Sequence, residues 1–328
     1  MKKQKTIKDI AFYAIILILV LVMIYSGLRI LESTVFHKDQ TGVTEGPSKT
    51  IERDGVEYFP RQDITVVLLM GIDQEGKAQS SNSYNNPGAA DMVSLLVFDE
   101  TNSSCTVLCL NRDTMMNIPV LGIGGKPAGS RYGQLALSHG YGSGLHDSCE
   151  NVRKAVSDFL YGLNIDFYLS VRMDAIALAN DAVGGVTVNV TDDFSEADPT
   201  IGKGQVTLRG QQALSFVRSR KGVGNQLNIS RIQRQKAYMD GFLVALREKV
   251  DASGSFMLEL YEEISDYVVT DCSATTLNSL AKRYADYEIA GIRHPEGENV
   301  QGEMYYEFYA DEEKLDQLIL ELFYAPKN

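Results

Sequence analysis

Cysteine is scarce in this chain of 328 residues, with Cys105, Cys109, Cys149 and Cys272 its whole complement. Thiols so few and so scattered cannot staple a disulfide scaffold, and no two of them form a Cys-x-x-Cys pair. The four histidines are equally isolated, which leaves a structural zinc site without ligands. Cys105 and Cys109 face the same way on one strand, yet at roughly 3.3 Å per residue they lie about 13 Å apart, too far to bond. Buried free thiols are the expectation, and pairing with Cys149 or Cys272 stays open for an exported domain. Positive charge is also in deficit, 31 Lys+Arg against 43 Asp+Glu, a net −12. That balance excludes diffuse binding to nucleic acid or to an anionic membrane surface. No Gly-x-Ser-x-Gly elbow occurs, and no complete phosphate-binding P-loop. Gly122-x-Gly124-Gly125-Lys126 comes near, but Pro127 follows the lysine and the leading glycine is misplaced. His139 and His146 have no metal-ligating neighbours and read as loop or core residues.

What is present begins with a membrane segment. Ile10 to Leu28 is 19 residues without a charge, nearly enough at about 1.5 Å per residue to span a hydrocarbon layer of roughly 30 Å. Lys2, Lys3, Lys5 and Lys8 precede it against Asp9 alone, which places the N-terminus in the cytoplasm and the rest outside. The run exceeds the usual signal-peptide core of about 7–15 residues and no small-x-small site follows it, so an uncleaved anchor is favoured. The expected layout is a cytoplasmic tail (1–9), a transmembrane helix (10–28), a polar stalk (29–60) and one extracellular domain (61–328), on a single-pass protein of the cell membrane.

Ile64–Met70 reads as a buried strand, Gln74–Ala90 as a loop, and Met92–Phe98 with Cys105–Leu110 as a hairpin. Helical spacing follows over Ser148–Tyr161, then a strand at Phe167–Val171, a helix from a capping Asp174 to Val183 and a strand at Val186–Val190. Gly210–Val217 and Ile229–Val250 read as helices flanking a loop. Helices near Phe256–Val268 and Ala274–Tyr284, a strand near Tyr287–Ile292 and a helix over Asp311–Phe323 complete the chain. Strands alternating with helices predict an α/β fold, a mixed central sheet flanked by helices.

The charge is unevenly spread. Residues 251–328 hold 17 acids and 5 bases, whereas the first 250 residues balance. Within them Arg209 to Lys236 carries seven bases and no acid, so something nearby is anionic. Arg218 and Arg220 project together if that segment is extended, and Arg231 and Arg234 lie three apart on a helix. Arginine suits phosphate because its planar fork donates two hydrogen bonds at once. Asp91 begins one hairpin strand and Asp113 follows the other, so the hairpin can bring both to one place. Such hard oxygen ligands suit Mg2+, which takes one or two carboxylates plus phosphate oxygens; a turn-capping Asp113 is the plainer alternative.

Together these segments resemble the LytR–CpsA–Psr family of cell-wall glycopolymer ligases. The resemblance runs from about Thr65 to Phe323, through Val67-Leu-Leu-Met-Gly-Ile-Asp73, Asp91-Met92, Asn111-Arg-Asp-Thr114 and Leu137-Ser-His-Gly-Tyr-Gly142. It continues in Asp181-Ala-Val-Gly-Gly-Val-Thr-Val188, Phe216-Val-Arg-Ser-Arg-Lys221 and Arg231-Ile-Gln-Arg-Gln235. It implies transfer of a phosphorylated glycopolymer from an undecaprenyl-pyrophosphate carrier to a peptidoglycan hydroxyl, assisted by Mg2+ or Mn2+. On this chain it implies that Arg112, Arg218, Arg220 and Arg231 grip the pyrophosphate. Asp91 and Asp113 would hold the metal or deprotonate the acceptor, and Arg234 and Gln235 would support the site. The lipid tail would lie in a tunnel between sheet and helices. Three positions depart from the family pattern. Glu75 and Ala89 stand where arginine is common, and Asn228 stands where aspartate is common; Lys77 is the candidate to compensate. A non-catalytic binder of lipid-linked wall precursors and a lipid-pyrophosphate hydrolase are the alternative readings.

Overall fold

The computed structural model describes residues 50–327 apart from 54, 82–83, 220–221, 224–227, 254–255, 274–275, 277–278, 281–282, 285–286 and 304. The expected tail, membrane helix and most of the stalk lie outside the described residues, as does much of the helix expected near Ala274–Tyr284. Among the described residues, no helix is long and apolar enough to cross a membrane.

The chain enters through a hairpin, β1 (Ile51–Arg53) and β2 (Val56–Pro60), so the last ten residues assigned to the stalk are folded onto the domain. β3 (Ile64–Asp73), β4 (Ala89–Asp99) and β5 (Ser104–Leu110) form an antiparallel meander, the expected hairpin with one strand added. β6 (Met115–Leu121) and β7 (Pro127–Gln134) make a second hairpin. The glycine-rich Gly122–Lys126 segment is its tip and leads into a strand, not a helix, so it is no phosphate loop. There follow α1 (His146–Phe159), β8 (Phe167–Arg172), α2 (Asp174–Ala182), β9 (Val186–Val190) and β10 (Gly204–Leu208). Then come α3 (Gln211–Arg218), α4 (Asn228–Ala252), α5 (Phe256–Ile264), β11 (Val268–Thr270) and β12 (Glu288–Arg293). A third hairpin, β13 (Gly297–Gln301) with β14 (Tyr306–Ala310), precedes α6 (Glu312–Phe323) and β15 (Tyr324–Pro326), which pairs with β2.

The central sheet has six strands in the order β11-β8-β3-β4-β5-β12. β3 pairs parallel with β8 and β5 with β12, while the other neighbours are antiparallel, so the sheet is mixed as expected. Alternation along β3 explains its unbroken apolar run. Val66, Leu68, Met70 and Ile72 pack on α1 and α6 through Val152, Val156, Ile319 and Leu322. Val67 and Leu69 face the opposite core, built from Ala175, Phe216, Phe242 and Leu260 of α2 to α5. A strand covered on both faces has no position for a polar residue. Cys105 belongs to one core and Cys149 to the other, and all four cysteines are free thiols. Burial pushes the thiols of Cys105 and Cys149 up to about 12, which keeps them unreactive.

Candidate active site

The site forms where the meander runs out of apolar residues. Gly71 of β3 pairs with Met92 and Ile72 with Ala90, leaving Asp91 as the extra residue of a bulge on β4. Bulges re-aim side chains. Here the strands approach so closely that a Cβ on Gly71 would sit 3.1 Å from that of Met92. Asp91 thus comes to the strand's end, as does Asp73 on β3, and an Oδ1 of each is removed from solvent.

Asp113 comes to the same place from β5. Its N–H bonds Asn111 Oδ1 at 3.0 Å, and Thr114 Oγ1 donates to the Asn111 carbonyl at 2.6 Å, which tightens the turn. Between the two acids lies Arg112, whose Nη1 is ion-paired to Asp91 Oδ1 and whose Nε is 3.5 Å from Asp113 Oδ1. One guanidinium therefore couples the two carboxylates that the hairpin was expected to bring together. Gln134 of β7, nearly buried, donates from Nε2 to Asp113 Oδ1 at 3.0 Å and to the Tyr306 carbonyl at 2.8 Å. It fixes the carboxylate from behind, a role with no signal in a sequence read strand by strand.

Arg218 reaches the site from the other side. It ends α3, so the helix runs one residue beyond the expected Val217 and the extended conformation starts only at Ser219. Its Nη2 is 2.7 Å from Asp73 Oδ1 and its Nη1 3.5 Å from Glu75 Oε1. Asp73 was not singled out from sequence, although it closes an apolar strand as Asp91 opens one. Lys77 does not compensate for Glu75, because its Nζ is 2.6 Å from Asp266 Oδ2, beyond α5. Nor does Asp174 cap its helix: its carboxylate accepts from Gly76 N–H at 2.6 Å and so tethers the loop bearing Glu75.

Arg234 of α4 is 5 % exposed. Its Nε donates to the Phe216 carbonyl at 3.0 Å, Nη2 to that of Ser219, and Nη1 to Asp192 Oδ2 at 2.6 Å, with Phe194 packed 5.4 Å from the guanidinium. Expected to bind or support substrate, it is placed beneath the site, where it clamps the end of the helix that carries Arg218. Arg220 lies outside the described residues. Arg231, Gln235 and Asn228 lie on α4, but their side chains fall outside the described residues as well.

The loop over the site is bolted from below. Asn86 Nδ2 donates to the carbonyls of His139 and Gly142, each at 2.9 Å, and His139 Nδ1 bonds the Gly88 carbonyl at 2.9 Å. Burial pushes the His139 imidazole down to about 4, so the ring is neutral and Nδ1 carries the donated proton. His139 is the core residue its isolation suggested.

Asp91 and Asp113 are hard oxygen donors of the kind a cation such as Mg2+ takes, and the Oδ1 of each faces the Arg112 guanidinium. Among the described residues no group of three or more His, Cys, Asp and Glu could hold a metal. Two carboxylates do not make an all-protein cage, so an ion held by them would need substrate phosphate and water to complete its shell.

A mixed sheet between two helical layers, with Asp73 and Asp91 at strand ends, Arg112 and Asp113 in the turn after β5 and Arg218 at the end of α3, defines an α/β protein with an acid–arginine cluster at one end of its sheet. The chain matches the LytR_cpsA_psr family over residues 29–322 and belongs to it. It is 28% identical over 267 residues to the polyisoprenyl-teichoic acid–peptidoglycan teichoic acid transferase TagU of Oceanobacillus iheyensis, covering 78% of this chain and 75% of that protein. It is likewise 28% identical over 288 residues to TagU of Enterococcus faecalis, covering 87% and 85%. The crystal structure of Bacillus subtilis TagV shares the fold, with a TM-score of 0.53, 22% identity and coverage of 80% of this chain and 96% of that one.

Proposed function

We propose that the protein is a membrane-anchored phosphotransferase. It moves a glycopolymer from a polyprenyl-pyrophosphate carrier to a peptidoglycan hydroxyl on the outer side of the cell membrane. The observation that carries this reading is the convergence of Asp91 of β4 with Arg112 and Asp113 of the turn after β5, beside the Asp73–Arg218 pair. Membership of the family and relatives whose names describe transferases support it.

In the transfer the acceptor oxygen bonds the phosphorus that carries the glycopolymer. The bond from that phosphorus to the bridging oxygen breaks, polyprenyl phosphate leaves, and the acceptor proton passes to the Asp113 carboxylate. Arg112 and Arg218, with Arg220 and Arg231, bind the pyrophosphate and oppose the charge that builds on the leaving group. Asp91 would hold Mg2+ or Mn2+, joined by Asp113 where another base takes the proton, and when bound the ion supplies Lewis-acid neutralisation of phosphate oxygens. Arg234 and Gln235 position the arginines, and the charge-free segment 10–28 keeps the domain beside its lipid substrate.

One feature favours a second reading, a regulator that binds lipid-linked precursors without turnover. Glu75 faces Arg218, where its charge opposes phosphate. The full chain with Mg2+, a lipid-pyrophosphate-linked glycan and peptidoglycan separates the readings. A phosphodiester-linked product supports transfer; lipid retained without product supports the regulator; phosphate released without acceptor supports hydrolysis. Arg218→Ala is expected to weaken pyrophosphate binding by roughly 1.5–3 kcal/mol, the worth of a charge-assisted contact, as read by calorimetry.

A further inference from the structure

Beside the acid–arginine cluster lies an open cleft of about 880 Å3 between the end of β5 and the β13–β14 hairpin. It neighbours the site through the turn that carries Arg112 and Asp113. Asn111 lines it and begins the Asn111–Thr114 turn, with Nδ2 3.5 Å from Asn299 Oδ1 on the facing hairpin. Phe308 N–H donates to the Asp113 carbonyl at 2.9 Å, so the next residue, Tyr309, stands in the cleft one position from a direct bond to that aspartate. Tyr309 is 39% exposed, and its hydroxyl donates to Glu307 at 2.7 Å. Tyr305 and Tyr306 on the same hairpin are 60% and 62% exposed.

The charge in the cleft is the reverse of that in the arginine site. Glu296, Glu298 and Asp311 line it against Lys314 and His294, and Lys314 is paired to Glu296 at 2.6 Å. A phosphate-rich chain is repelled there, which keeps the donor polymer out. An exposed tyrosine, Tyr309, with amide and carboxylate groups at its margin matches a different ligand. A pyranose ring offers an apolar face for an aromatic ring and a rim of hydroxyls and amides for polar side chains.

We propose that this cleft is the acceptor subsite, and that it takes an uncharged N-acetylated glycan strand. The sugar faces lie on Tyr309, the polar groups bond Asn111, Asn299 and Glu298, and one hydroxyl is delivered to Asp113. The assignment rests on the transferase reading for its catalytic meaning, though not for the binding itself.

Calorimetry on the full chain in detergent, with the tetramer of N-acetylglucosamine as probe, tests it. Binding is expected to weaken at least tenfold in Tyr309→Ala and severalfold in Asn299→Ala, and to change less than twofold in Tyr309→Phe. Farnesyl pyrophosphate serves as the donor-side probe; its affinity is expected to be the same in Tyr309→Ala as in the parent and to fall in Arg218→Ala. No tetramer binding by the parent, binding indifferent to both Tyr309→Ala and Asn299→Ala, or preference for a free wall peptide over the sugar overturns the subsite. Should Tyr309→Ala lose both ligands through misfolding, Asn299→Ala on the opposite strand decides. Pyrophosphate affinity indifferent to Arg218→Ala removes the transferase reading while leaving a glycan site in place.

Discussion

At the scale of single residues the site is defined by competition for guanidinium groups. Arg218 is engaged by Asp73 at 2.7 Å and by Glu75 at 3.5 Å, and a phosphate must enter against both acids. Asp73 is fixed at a strand end, whereas Glu75 sits on a loop with its side chain 76% exposed, so water already screens much of its charge. Exposed pairs are worth about 0.2–1 kcal/mol, and Glu75→Gln is therefore expected to tighten pyrophosphate binding only about two- to fivefold, read by titration at low salt. An affinity that drops instead would mean that Glu75 positions Arg218 for substrate. Gln134 acts on the other acid. Gln134→Leu removes the donor that fixes Asp113, and the expected result is a transfer rate reduced about tenfold with donor affinity unchanged, separated by measuring rate and binding in parallel. Loss of donor affinity in that variant would place Asp113 on the pyrophosphate and not on the acceptor.

At the scale of elements, the site is only as firm as the junction of α3 and α4. Arg234 makes three hydrogen bonds at once from a buried position, two of them to carbonyls at the end of α3 and one to Asp192. Arg234→Ala leaves those acceptors and a largely buried carboxylate unpaired, so a loss of about 2–4 kcal/mol in denaturant unfolding is expected. Arg234→Lys is expected to recover little, since a single ammonium cannot reproduce the fork. This junction also shows what sequence patterning makes legible. The β3–β5 meander, β8, β9 and the helices from α1 to α6 follow from unbroken apolar runs and helical spacing, each local in the chain. The pairing of Asp91 with Asp113 was legible for the same reason, because a hairpin brings its own ends together. The β6–β7 and β13–β14 hairpins were missed: β13 is exposed throughout and β7 nearly so, and neither has an apolar face to alternate. Gln134 and Tyr309 went unseen with them. Asp73–Arg218 and Arg234–Asp192 join residues 145 and 42 positions apart, and no local rule reports such contacts.

At the scale of the whole molecule, the net charge of −12 is a sum over regions with different work to do. Its excess acid lies in residues 251–328, part of it in the proposed acceptor cleft, while Arg218 of the arginine-rich stretch 209–236 reaches the proposed pyrophosphate site. An acidic protein is thereby compatible with an anionic substrate held at a few points. The same separation bears on acid stability. His139 sits in the core with Nδ1 on the Gly88 carbonyl, and burial pushes it down to about 4 from an ordinary value of 6.5. The unfolded chain takes up this proton below pH 6.5 and the folded protein only near pH 4, so between those values the unfolded state binds more protons. Stability from this group is complete above pH 6.5 and falls as the pH drops through the window, by up to roughly 3 kcal/mol. Burial raises Glu150, Asp166 and Asp271, and these carboxyls act in the opposite direction at the acid end, where their protonation favours the folded state. The histidine contribution is therefore isolated as a difference. His139→Gln keeps a donor toward Gly88 and cannot titrate. The stability of the parent relative to the variant is expected to be greatest at pH 7 and to fall as the pH drops toward 4. A gap that stays constant across that range would show that His139 takes up its proton as readily in the fold as in the unfolded chain, and the bolt under the site loop would then be an ion at acid pH and not a neutral ring.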